Sequence, residues 1–179
     1  MATVRTAIHA DIPAMEALIR RSGIALSEGF YTPEQARAVT DHVFGDDTQL
    51  VIDQTYFVVE DGGEMVACGG WSRRATLFGA DRMKQEADPL LDPATEPARI
   101  RAFFVEPSAA RRGYGKLLLA WCTTAAATGG FTTLELAATL PGVPLYLACG
   151  FNEIQRLELD LPGPVRVPLV RMHKAIAVK

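Results

Sequence analysis

An α/β (α+β) fold, with a mixed, mostly antiparallel central sheet and helices on both faces, is predicted by three observations. β-rich runs and helical patterns interleave in the order β α α β β β α β α β β. Glycine, proline and small polar residues punctuate the joins between these runs. Length and composition suit one globular domain, read over residues 1–179, with 49% hydrophobic and 22% charged residues.

The elements follow in chain order. "TVRTAI" (3–8) alternates and is rich in β-formers, which predicts a first strand. Asp11 then stands as an N-cap with Pro13 in the first turn, and Met15, Leu18 and Ile19 keep helical spacing until Gly23, the expected stop. Thr32, Pro33 and Gln35 write a second helix start, with the spacing of a capping box. Two β-rich runs around Asp61-Gly62-Gly63 predict a hairpin. Residues 75–98 form a long polar stretch, longer than most connections in a compact domain. "RIRAFFV" is the next strand, "KLLLAWCTTAAAT" a helix closed by Gly129-Gly130, and "FTTLELAA" a strand. "PGVPLYLACG" is a short helix, and "FNEIQRLELDL" and "VRVPLVRMHKAI" are alternating strands joined through Pro162, Gly163 and Pro164.

Charge and cysteines exclude several function classes. The net charge of −3 gives no basic field for nucleic acid. No segment approaches the ~20 apolar residues of a membrane span, and the first residues have no signal-peptide run, so no membrane partner and a cytoplasmic location are expected. Cys68, Cys122 and Cys149 are widely spaced in apolar surroundings and are read as reduced thiols. They make no Cys/His cluster, and no metal site is expected.

The stretch that carries chemistry is "VEPSAARRGYGKLLL", where a strand gives way to a helix. A Walker loop fails, because Gly115-Lys116 is followed by Leu117 and position 110 is alanine. A dinucleotide fingerprint fails too, because Leu118 stands where the third glycine belongs. What remains is V-x-P, then G-x-G and a leucine inside a helix, matched by Val105, Pro107, Gly113, Gly115 and Leu118. Backbone N–H groups at such a helix start converge on an anion, with Arg111, Arg112 and Lys116 adding charge beside it.

Together with "VPLYLACGF" about thirty residues on, this stretch resembles the acetyl-CoA motif and the later Y-x-x-x-GF segment of the GCN5-related N-acetyltransferase (GNAT) family. The order of elements matches over nearly the whole chain. The resemblance implies an acyl-CoA N-acyltransferase fold with acetyl-CoA as cosubstrate. It implies that the backbone of Arg112, Gly113, Tyr114, Gly115 and Lys116, with Leu117 at the first turn and Arg111 adjacent, holds the CoA pyrophosphate. Phe104, Val105 and Glu106 would pair with the pantetheine arm, and a backbone N–H of that strand would face the acyl carbonyl, as an oxyanion donor does. The family splays this strand from "TLELAA" to make a slot. Ala110 departs from the Gln or Arg common at that position, and no cofactor-contacting Asn precedes Tyr146.

Tyr146 maps to the family's general acid, a phenol able to protonate a leaving thiolate. For the general base, Glu135 is the first candidate and Glu106 the second, each with a plain alternative as a strand-end charge. His9, His42 and His173 are scattered and read as core or surface residues. The acceptor, a small-molecule amine or an amino-terminal group, would meet "SGIALSEGFYTPEQ", the 75–98 stretch or the last hairpin, with Trp71 and Arg73–Arg74 either a wall suited to an acceptor bearing a carboxylate or phosphate or a half-buried Trp beside exposed edge arginines. A homodimer is compatible with the sequence. The main rival is a non-catalytic acyl-CoA-binding or sensor domain on the same fold.

Overall fold

The computed structural model describes residues 1–45, 47–78 and 88–177. Strands are β1 (Thr3–Thr6), β2 (Tyr56–Asp61), β3 (Glu64–Ser72), β4 (Ala98–Val105), β5 (Thr133–Thr139), β6 (Asn152–Leu161) and β7 (Val165–Ala175). Helices are α1 (Ile12–Ala25), α2 (Pro33–His42), α3 (Thr48–Ile52), α4 (Tyr114–Thr128) and α5 (Val143–Ala148). The strands make one sheet in the order β1-β2-β3-β4-β5-β7-β6, antiparallel at every join except the parallel β4–β5 pair. The mixed, mostly antiparallel sheet predicted from the sequence is therefore present.

Both faces of the sheet are covered, which explains why β2 reads as a continuous apolar run. Successive side chains alternate between faces. Tyr56 and Val58 join α1's Met15, Leu18 and Ile19 in one core, whereas Phe57 and Val59 join α4's Leu118, Leu119, Cys122 and Ala126 in the other. A third cluster seats α2, through Ala36 and Val39, on Val167 and Leu169 of β7. No helix among the described residues is long and apolar enough to cross a membrane.

Local signals explain most boundaries. The capping box at α2 forms in both directions: Gln35 N–H donates to Thr32 Oγ1, and Thr32 N–H donates to Gln35 Oε1, each at 3.1 Å. Gly62 and Gly63 both adopt positive φ (62° and 85°), as a two-residue hairpin turn requires. Two readings change. Gly23 does not end α1, which runs to Ala25; a Cβ there would lie 2.7 Å from Thr40 Oγ1, so the glycine lets α1 approach α2. Asp11 makes no side-chain cap bond to α1, because Arg5 takes both its oxygens at 2.7 and 2.8 Å and the Ile8 N–H donates to it as well. That guanidinium holds the Asp11 carboxyl below the usual carboxylate range. The short helix α3 was not predicted, since five residues carry no readable period.

Candidate active site

The cleft exists because two neighbouring strands part. β4 and β5 pair only at Ala98↔Leu134 and Arg99↔Glu135. Beyond that point β5 stays with β7 as far as Thr139↔Leu169, while β4 stays with β3. A bulge helps β4 turn away: the register skips between Cys68↔Phe104 and Gly70↔Arg101, and Ala102 sits at φ 54°. The opening is a cavity of about 700 Å³, walled by Ile100–Val105 of β4, Leu136–Thr139 of β5, the loop before α4, helix α5 and the α1–α2 segment.

The loop at one end is built from backbone. Arg111 (φ 68°) and Gly113 (φ 91°) both take left-handed conformations, which alternates the peptide planes and turns successive N–H groups toward one side. Among the described residues, none of the N–H groups of Arg111, Arg112, Gly113, Tyr114, Gly115 and Lys116 has an acceptor; the first helical bond of α4 is Leu117 N–H to Gly113 O, at 3.0 Å. Arg111, Gly113, Tyr114, Gly115 and Lys116 line the cleft, whereas Arg112 and the half-exposed Leu117 do not. Ala110 presents only its methyl group there.

The two glycines do different work. At Gly113 nothing lies within 4 Å of a Cβ, so the requirement is the positive φ alone. At Gly115 a Cβ would lie 2.9 Å from Leu145 Cδ2, so the requirement is close approach of α4 to α5. Tyr114 adds a tether that the sequence did not announce. Its hydroxyl donates to Asp61 Oδ2 at 2.6 Å, which ties the loop to the β2–β3 hairpin. Asp61 raises the Tyr114 phenol above its ordinary value, and the same bond, with the nearby amino terminus, holds Asp61 low.

Of the three residues expected to serve on this edge, Phe104, Val105 and Glu106, only Val105 turns its N–H to the cleft. Glu106 N–H donates to Val66 O of β3 at 2.8 Å. Strand alternation puts Phe104 on that β3 side too and turns Val105 toward the cleft. There the Val105 N–H meets the Ser22 hydroxyl of α1 at 3.3 Å. The Glu106 carboxylate leaves the cleft altogether and pairs with Arg21 at 2.7 Å.

Tyr146 of α5 faces the cleft. Its ring is packed between Phe103 and Phe151, with centroids 6.3 and 5.6 Å away, and its hydroxyl makes no hydrogen bond with a described residue. Burial pushes its phenol well above the ordinary value, with Cys122 and Cys149 adding to the shift.

Glu135 is not brought to the site. It is 2% exposed, lies outside the cleft lining, and each of its oxygens is taken by a guanidinium, Arg99 of β4 and Arg171 of β7. A carboxylate so held clamps three strands at the point where β4 and β5 begin to separate. Trp71 is likewise elsewhere, packed in the α4-side core against Phe131 with Arg73 over its ring, while Arg74 pairs with Asp53 at 2.7 Å. None of the histidines lines the cleft.

The far end is made of side chains from separate segments. The α1–α2 stretch contributes Ser22, Leu26, Ser27 and Phe30, and residues 77 and 78 of the long polar stretch contribute Leu77 and Phe78; residues 79–87 lie outside the described residues. Leu169 represents the last hairpin. Asp47 and Arg101 sit at the floor, paired at 3.0 Å with side chains 4% and 6% exposed. Tyr31 braces this end: its hydroxyl donates to Pro168 O at 2.7 Å and accepts from Leu140 N–H at 3.0 Å, and burial pushes it up to about 12.

Comparison with known proteins agrees with this geometry. The profile described as "Acetyltransferase (GNAT) family" matches residues 24–151. No protein with a curated description matches the sequence. Among solved structures, the chain is similar to a GCN5-related N-acetyltransferase of Rhodopseudomonas palustris, at 17% identity and TM-score 0.73 over 98% of this chain and 96% of that one. It is also similar to the PaiA N-acetyltransferase of Thermoplasma acidophilum in complex with coenzyme A, at 12% identity and TM-score 0.66 over 98% and 99%. A third is YncA of Salmonella typhimurium, a putative acetyltransferase with its cofactor acetyl-CoA, at 13% identity and TM-score 0.65 over 100% and 96%. At these identities the likeness establishes the fold.

Proposed function

From its membership of the acetyltransferase (GNAT) family, to which the chain belongs, we propose that the protein is an acetyl-CoA-dependent N-acetyltransferase acting on a primary amine of a small molecule or an amino-terminal group. The observation that carries this reading is the row of unpartnered N–H groups from Arg111 to Lys116 at one end of a cleft opened between β4 and β5. A diphosphate suits that row, because the α4 N-terminus and the αL residues supply donors without any side chain. An extended amide arm suits the unpaired β4 edge, where the Val105 N–H faces the cleft.

The chemistry then follows from what the wall offers. The amine nitrogen attacks the thioester carbonyl carbon, and the C–S bond breaks after the tetrahedral stage. Negative charge develops first on the carbonyl oxygen, where the donor is a backbone N–H of the β4 edge; at Val105 it must first release the Ser22 hydroxyl. The charge passes next to the departing sulfur, toward which the Tyr146 hydroxyl donates its proton. A phenol raised by burial stays protonated across the neutral range, and the same apolar surroundings raise the proton affinity of the thiolate. The attacking nitrogen loses its proton to solvent, and the Tyr146 phenolate takes one back from solvent before the next turnover. We assign no base role to Glu135 or Glu106, since arginines already hold both carboxylates.

The test is thiol release from acetyl-CoA in the presence of an amine panel, with acetyl-CoA binding followed by calorimetry. Release that depends on an amine is the expected result. Tight acetyl-CoA binding with no release on any amine would support the sensor reading, and no binding would overturn both.

A further inference from the structure

We propose that the acceptor end of the cleft takes the free-base form of a primary amine carried on an apolar, ring-sized body, with Phe30, Phe44 and Phe78 as its specificity-determining residues. The inference rests on the reading of the cleft as an acyl-transfer site. Phe30 and Phe78 are 47% and 39% exposed, come from segments far apart in the chain, and both border the same cavity. Large exposed rings that border one cleft are apolar surface awaiting a cover. Phe44 is the fixed member, packed edge-on against Phe104 of β4 with centroids 4.8 Å apart.

The charges at this end select in the same direction. The charged residues among the described lining are Arg111 and Lys116 beside the loop, and Asp47 and Arg101 at the floor. Asp47 and Arg101 pair with each other, so within that pair the charges offset one another. Among the described lining residues, a polycationic acceptor therefore finds no net negative charge. An acceptor whose apolar body fills this end carries its nitrogen out of water, and that desolvation favours the free amine, which is the nucleophile. The pocket thereby does part of what a general base would do, which accounts for a cleft whose expected base, Glu135, lies elsewhere.

The experiment compares kcat/KM for 2-phenylethylamine, 1,4-diaminobutane and glycine at fixed acetyl-CoA. The expected result is 2-phenylethylamine ahead of both by at least about tenfold, the discrimination that burying a ring supplies. Phe30→Asp should lower kcat/KM for 2-phenylethylamine about tenfold or more and shift preference toward the diamine, with acetyl-CoA affinity unchanged. Phe30 is half exposed, and circular dichroism checks that the variant folds. A diamine or amino acid used as well as or better than 2-phenylethylamine overturns the inference, as does acetyl-CoA binding without turnover of any of the three. Loss of acetyl-CoA binding altogether would instead sink the acyl-transfer reading beneath it.

Discussion

Strands β4 and β5 lie side by side for two residue pairs and then separate, and the two ends of this pair are built on opposite rules. At the closed end, Glu135 is shared by Arg99 and Arg171, so charge holds β4, β5 and β7 together in a nearly dry environment. At the open end, the β4 edge has no strand partner, the loop donors have no acceptor among the described residues, and much of the wall is rings and aliphatic groups. The difference teaches that a buried carboxylate on a cleft strand can belong to the frame. The chemistry falls to groups left unsatisfied a few residues further along.

The largest effect should come from breaking the closed end. Glu135→Ala leaves two guanidinium groups, one of them largely shielded, without their anion and should cost about 3–5 kcal/mol, or roughly 10 °C in Tm. Thermal unfolding measures this. Glu135→Gln sharpens the point: it should lose stability while turnover per folded molecule stays close to that of the parent. Intact stability with abolished turnover would make Glu135 chemical and dissolve the contrast.

Next is the open end's acid. Tyr146→Phe removes one hydroxyl from a ring that stays packed between Phe103 and Phe151. Turnover should fall by at least about tenfold, and by about 10²–10⁴ if its role is full proton transfer. Acetyl-CoA affinity, read by calorimetry, should barely move. Unchanged turnover would remove Tyr146 from the reaction.

A smaller effect separates backbone from side chain in the loop. Gly113→Val forces a β-branched residue to φ 91°, at a cost of about 1–2 kcal/mol, and re-aims the N–H row, so acetyl-CoA affinity should fall about tenfold. Arg112→Ala should weaken it less than about threefold, because that side chain does not line the cleft. The reverse ranking would mean that charge, and not the N–H row, holds the anion.

What the sequence revealed follows the range of the interactions. The loop was legible because Gly113, Gly115 and the helix behind them are neighbours in the chain, and so were the Thr32–Gln35 box and the Gly62-Gly63 turn. Tyr146 was legible through a second local motif. The partners of Glu135 were not, since both lie 36 residues away, one on each side. Arg101 and Asp47 are 54 residues apart, and only the oddity of an arginine inside "RIRAFFV" hinted at a buried partner. Phe30 and Phe78 carry no period, because they face a cavity and not a sheet or a helix. Gly23 misled for a related reason: a glycine needed for close helix contact looks the same in sequence as one that ends a helix.

The smallest effect is the most diagnostic, because its sign carries the argument. The Ser22 hydroxyl accepts the Val105 N–H at 3.3 Å, a long bond at an N–H that β4 turns toward the cleft. A ligand carbonyl that uses this donor must first displace Ser22. Ser22→Ala would strand a buried N–H if the site were dry, at a cost of about 1–3 kcal/mol, but the adjoining cleft admits water as a substitute partner. The free protein should therefore lose little stability, and acetyl-CoA should bind about two- to fivefold more tightly, since a water is easier to displace than a tethered hydroxyl. Calorimetric titration reads the change. Weaker binding would mean that the hydroxyl itself contacts the ligand, and the open end would then rely on a side chain where the unpaired backbone was expected to suffice.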